Sequence, residues 1–234
     1  MYQYQGLQDL MFVMLYCMAA CSALLAAVYL LWRRGNAVAV DVGSSRELRR
    51  WTAAFMAAVV GSHVWWYVLG IVWLTDDRLV RNIVAITLDR LTFVPLMMCV
   101  LLRMLQDRRR PLWPVWAAMA PVAVLAVMCI VTHSEVFEPA VEWYMAAVAV
   151  AFVVWYVRAV RQYGRWLLDN YSDLERKEVW QSLVLLALIL FVHVAYSTNS
   201  GALVTEYLAQ VNTLIIVSFL VWRVETLQEL ECGE

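Results

Sequence analysis

The chain has 234 residues, 64% hydrophobic and only 16% charged, with a mean hydropathy of +0.67 and a net charge of −1. So much apolar surface excludes a soluble domain, and the small net charge says nothing by itself because the charges are sorted along the chain. Apolar runs near the ~20 residues that cross a hydrocarbon core also exclude a β-barrel, whose strands are shorter and alternate in polarity; the expected class is all-α and polytopic.

Seven runs are expected to span, at 11–32, 51–74, 79–102, 112–131, 141–160, 179–197 and 202–222. They make one transmembrane domain over 1–222 and leave a short tail at 223–234. The first run follows a segment without basic residues and is long for a signal peptide, so it reads as a span. It carries Cys17 and Cys21 on one face; these, with Cys99 and Cys129 in later runs, read as small hydrophobes, and Cys232 as a thiol in the tail. The second run offers His63 and Tyr67 at i, i+4; Trp65, Trp66 and Tyr67 are three adjacent aromatics that point three ways, so at least one should face the bundle. The third places Asp89 and Arg90 near mid-membrane, with Asn82, Asp89 and Thr92 forming one stripe. Adjacent residues on a helix diverge by about 100°, so Asp89 and Arg90 are not a simple face-to-face pair, and each is expected to find a partner on another helix. Pro95 and Pro121 should bend the third and fourth helices, and His133 sits at the end of the fourth.

The segment 158–178, RAVRQYGRWLLDNYSDLERKE, is charged and aromatic and suits an extended helix end. The sixth run carries His193, Tyr196 and Ser197; the seventh carries Glu206, Gln210 and Thr213 in a stripe, with Asn212 beside it. In the tail, Val224, Leu227 and Leu230 recur at three-residue steps, which would continue the seventh helix and pair weakly with a second copy.

The segments after the first and third runs hold 5 and 4 of the 18 Lys and Arg, the stretch from Arg158 at the end of the fifth run to Glu178 holds 5, and the C-terminal tail 1. Positive residues favour the cytoplasmic side, which places the N-terminus outside and the C-terminus in the cytoplasm. Trp32, Trp51, Trp113, Trp155, Trp180 and Trp222 then mark the inner interface, with Trp65, Trp66, Trp73, Trp143 and Tyr144 in the outer half. On this topology His63, Tyr67, Asp89, Arg90, His193, Tyr196, Glu206, Gln210 and Asn212 would line a polar cavity open to the outside; alternatively they form a hydrogen-bond network that fixes helix packing.

Sharper site chemistry finds little support. A retinal protein needs a lysine inside the bundle, and the only lysine, Lys177, lies in a loop. His63, His133 and His193 come from different helices without a two-histidine metal motif, and haem ligation by His63 and His193 is opposed by their different depths. No phosphate-cradling loop, nucleophile elbow or CxxC pair occurs. Neither catalysis, a metal nor a cofactor is indicated.

The stretch 163–183, YGRWLLDNYSDLERKEVWQSL, followed by a last span ending WRVETLQEL, resembles the N-terminal seven-helix membrane module of signalling proteins from Bacteroides-like bacteria. In those proteins the module precedes an AraC-type helix-turn-helix domain or a histidine kinase. The resemblance implies a sensor of the bacterial inner membrane, coupling an extracytoplasmic or intramembrane stimulus, such as a small ligand, to a cytoplasmic effector domain or partner. It implies no catalytic residues and no direct nucleic-acid binding by these 234 residues. The output surface would comprise Trp166, Tyr171, Glu175, Trp180 and Leu227. Two other readings stay open: a small transporter or channel component using Asp89, Arg90 and His63, and an accessory subunit of a membrane complex.

Overall fold

The computed structural model describes residues 10–33, 35–41, 43–71, 78–107, 110–134, 136–172, 174, 177–197 and 203–230. Their elements are helices α1 (Leu10–Trp32), α2 (Arg46–Ile71), α3 (Arg78–Met104), α4 (Trp113–Thr132), α5 (Glu138–Asn170), α6 (Gln181–Ser197) and α7 (Leu203–Thr226), and no strand occurs among the described residues. Six of them, all but α6, are long and apolar enough to cross a membrane, which makes this a multi-pass membrane protein. At 17 residues α6 is roughly 26 Å long, a little short of a ~30 Å hydrocarbon core.

Helices α1 to α5 pack in sequence, each against the next; α7 returns against α1 and α2, and α6 lies on α7. Cross-links gather four segments at one end. Gln106, after α3, donates to the Gln228 carbonyl at 3.0 Å and accepts from the Leu230 N–H at 2.7 Å. The Glu229 N–H meets the Gly43 carbonyl at 2.7 Å, and Arg223 donates to the Glu178 carbonyl. This tail end therefore collects the basic segments. The larger core cluster lies in the same half, built on Phe55 and Met56 of α2, Leu101 and Met104 of α3, Tyr156 and Tyr163 of α5, Leu185 of α6 and Leu220 of α7.

Composition explains the local contacts. On α1, Ala19, Ala23, Ala26, Ala27 and Leu30 form the buried face, while Met14, Met18, Leu25 and Val28 are exposed. Lipid tails give apolar helices no hydrophobic reason to associate, so small residues that admit close backbone approach supply van der Waals packing instead. Helix α4 starts with Pro114 in its first turn, where a missing N–H costs nothing. It ends with His133 in the left-handed conformation (φ 47°), the His133 N–H reaching the Ile130 carbonyl and the Ser134 N–H reaching that of Cys129. His133 thus closes a helix rather than facing the bundle.

Two boundaries differ from the hydropathy reading. Helix α5 continues ten residues past Val160 to Asn170, because Tyr163 and Leu167 extend its buried face while the intervening polar residues face outward. Helix α7 stops at Thr226 instead of carrying the tail outward. The tail turns back, and Val224, Leu227 and Leu230 are buried in this chain's own core.

What turns it is Glu225, which is fully buried. Its carboxylate accepts the Tyr29 hydroxyl and the N–H groups of Ala37 (2.9 Å) and Val38 (2.8 Å), while its carbonyl accepts Asn36 Nδ2 at 2.9 Å. Arg49, only 4% exposed, braces the same loop through Asn36 Oδ1 (2.9 Å), Ser44 Oγ (3.1 Å) and the Leu30 and Arg33 carbonyls (3.3 and 2.7 Å). Glu225→Ala removes a buried carboxylate and leaves these partly buried donors unpaired, and is expected to destabilise the fold by about 2 kcal/mol. Glu225→Gln keeps one acceptor oxygen and should lose less. Unfolding in detergent micelles, with denaturant or heat, measures both.

Candidate functional site: a polar band between the helices

The middle of α2 carries the band. His63 is 9% exposed and places Nδ1 2.8 Å from the Val59 carbonyl, one turn back on its own helix. Its Nε2 lies 2.9 Å from Gln210 Oε1 on α7. Tyr16 of α1 donates its hydroxyl to the His63 carbonyl at 2.5 Å and sets its ring 4.5 Å from the imidazole. A carbonyl can only accept, so Nδ1 carries a proton. The Gln210 amide can face Nε2 with its oxygen, accepting, or, turned over, with its NH2, donating. One amide rotation separates the two hydrogen-bonding arrangements.

The next turn serves Asp89 on α3. Trp65 Nε1 donates to Oδ1 at 3.1 Å and Trp66 Nε1 to Oδ2 at 2.6 Å, and the Ser62 hydroxyl also hydrogen-bonds the carboxylate. Neighbouring side chains diverge, so both indoles converge only because Trp65 folds back along α2 over Gly61. A Cβ at Gly61 would sit 2.6 Å from the Trp65 ring. That close approach accounts for a glycine in mid-helix, where it otherwise costs about 1 kcal/mol relative to alanine. His63 lies within electrostatic reach of the same carboxylate.

Arg90 turns the other way. Its Nη1 is 2.7 Å from Glu138 Oε1 in the first turn of α5, the two side chains being 19% and 25% exposed. Long arginine stems can run along apolar surface toward a helix end, and Glu138 there also faces the positive end of the α5 dipole. Asp89 and Arg90 thus have partners on different helices, α2 and α5.

The structure brings His63, Gln210 and Asp89 into this band, with Arg90 beside it. Asn212 is buried on α7, and Glu206 is half-buried one turn before Gln210. Tyr67 is 51% exposed and points away. The side chains of His193 and Tyr196 lie outside the described residues, as does Glu175. At the tail end, the ring of Trp166 stands 5.8 Å from Tyr163 and 5.7 Å from Tyr171, and the Lys177 ammonium lies 5.0 Å over the Tyr171 ring. These contacts pack the α5–α6 connection on itself. Trp180 is exposed there and Leu227 is buried.

Sequence reasoning missed Tyr16, the paired role of Trp65 and Trp66 as donors, and Glu138. The signals were thin: one hydroxyl in an apolar run, two indoles in an aromatic cluster for which a bundle-facing member was expected but no acceptor, and one carboxylate just before the fifth run. Among the described residues no three His, Cys, Asp or Glu gather as a metal site would need. Chemically, the band can exchange hydrogen bonds between α1, α2, α3 and α7.

Gly61→Ala should destabilise by about 1–2 kcal/mol, since the added methyl displaces Trp65 from Asp89. Once Trp65→Ala has removed the ring, the same substitution should instead stabilise by about 1 kcal/mol. Unfolding of the two single variants and the double variant gives the coupling.

No family model, no curated protein and no solved structure matches this chain.

Proposed function

We propose that this chain is a sensor module of the bacterial inner membrane, with its N-terminus outside and its tail end in the cytoplasm, where an effector of transcription-regulator or histidine-kinase type takes up the signal. The observation that carries the reading is the way α7 is held. It has a polar contact on each side: Gln210 to His63 of α2 on one, Glu225 to Tyr29 of α1 and to Ala37 and Val38 of the α1–α2 connection on the other. Fifteen residues of continuous helix, roughly 22 Å, separate the two.

A helix cannot compress, so a change in the His63–Gln210 contact moves α7 as a rod and loads the Glu225 contacts. A stimulus shifts such a system only by interacting differently with its two arrangements. The His63–Gln210 pair has two bonding states with which to do so. Transport along Asp89, Arg90 and His63 fits less well, because each is engaged by a neighbouring side chain.

With an effector reporter fused after Glu234, Gln210→Ala and Glu225→Gln should each change output about fivefold or more at matched membrane levels. Unchanged output in both variants would overturn the sensor reading, and solute flux in proteoliposomes of the same protein would replace it with transport. Cysteines introduced at Ser134 and Ser172 should label from opposite sides of the membrane, Ser134 from outside.

A further inference from the structure

Helix α5 shows two different faces along its second half. Tyr156, Val160, Tyr163 and Leu167 are buried at helical spacing. The opposite side presents Val150, Val154, Arg158, Arg161, Arg165 and Leu168, all exposed, again at steps of three and four. Among the described residues none of these three arginines has an acidic partner.

We propose that this arginine row is a binding surface for anionic phospholipid headgroups in the leaflet at the tail end. Val150 and Val154 are 64% and 45% exposed in the apolar part of a membrane-crossing helix, so they meet acyl chains. The same face, followed one turn further, meets the headgroups of those lipids.

Depth agrees. Trp32, Trp113, Trp155, Trp180 and Trp222 are all exposed at this end and form the aromatic belt that marks headgroup level. Arg158 lies ~4.5 Å beyond Trp155 along α5, Arg161 ~9 Å and Arg165 ~15 Å. The headgroup layer is about 5–8 Å thick on each side. Arg158 and Arg161 therefore reach phosphate oxygens, which a guanidinium grips in bidentate fashion, while Arg165 stands outside and acts through the screened field. A second copy of this chain is a poor occupant, since a two-fold contact through this face would bring two unpaired arginine rows together.

The test uses the full chain in nanodiscs of phosphatidylcholine doped with spin-labelled phosphatidylglycerol or spin-labelled phosphatidylcholine. The unaltered protein should favour the anionic lipid, and the preference should fall with added salt. Arg158→Gln and Arg161→Gln should each lower it by about fivefold, and Arg165→Gln by less. Arg46→Gln with Arg50→Gln, exposed arginines at the same end on α2, should leave most of it. No preference in the unaltered protein would overturn the proposal in favour of a protein partner or none. An equal loss in the α2 variant would also overturn it, by assigning the effect to diffuse charge. Each variant is compared only where its helix content by circular dichroism equals that of the parent. Arg161→Gln, fully on the outer face, is the substitution least able to disturb folding and decides the matter alone if the others misfold.

Discussion

Hydrocarbon offers a polar group no partner, and the rest of the structure follows from that. Backbone groups are satisfied within helices, and side-chain groups that cannot reach water must find one another. Asp89 is met by two indoles of α2, Arg90 by a carboxylate of α5, and His63 by an amide of α7. Each contact contributes only about 1 kcal/mol, because the separated helices would find other partners. Their larger effect is on specificity. Apolar faces of Leu, Val and Ala pack against many neighbours almost equally well, whereas one carboxylate between two indoles accepts one helix at one rotation. The contacts therefore fix which helices are neighbours.

The two ends of the bundle solve the same problem with different margins. At the tail end the solution is redundant: Glu225, Arg49, Arg223, Tyr156 and Tyr163 are all nearly or fully buried, and most bond to more than one element. The Tyr156 hydroxyl, for example, lies 2.8 Å from Ser182 Oγ and 3.2 Å from the Leu101 carbonyl, tying α5 to both α6 and α3. In the polar band each link between helices is a single pair, except at Asp89, whose three donors all come from α2. A perturbation there meets less resistance, and α7 runs directly from it into the redundant end. Interiors packed at crystal density respond to such a load by switching between discrete packings rather than by gradual deformation.

Much of the fold was legible because lipid makes hydropathy decisive: the runs at 11–32, 79–102 and 112–131 match α1, α3 and α4 to within two residues. Hydropathy fails where a helix leaves the bilayer. The end of α5 looks polar by composition, yet its aromatic and leucine positions still face the core. The tail reads as continuing helix because Val224, Leu227 and Leu230 keep a helical step, and no periodicity records that two backbone N–H groups at Ala37 and Val38 point at Glu225. In the band, the 100° offset between Asp89 and Arg90 spoke only against their pairing with each other and for a partner on another helix; that the two partners sit on different helices was not written in it. The identity of those partners was hidden, because tryptophan counts as apolar in a hydropathy sum although its indole N–H is a strong donor.

The sorting of arginine to one end has a cause besides orientation in a membrane. In an alternating bundle α1, α3, α5 and α7 all finish at the tail end, so their orphan carbonyls and negative dipole ends collect there. Arg49 donates to the carbonyls of Leu30 and Arg33 as α1 ends, and Arg110 to that of Leu105 just after α3. Arg223 serves Glu178 in the connection before α6. Buried cations in these places bond backbone carbonyls at helix ends and in the connections beside them. The exposed arginines of α5 have no such duty, since Tyr171 already closes that helix through the Leu167 carbonyl. The basic end is thus two populations with different physics: one holds helix termini inside the protein, and the other faces outward, with its charge still to be matched by the surroundings.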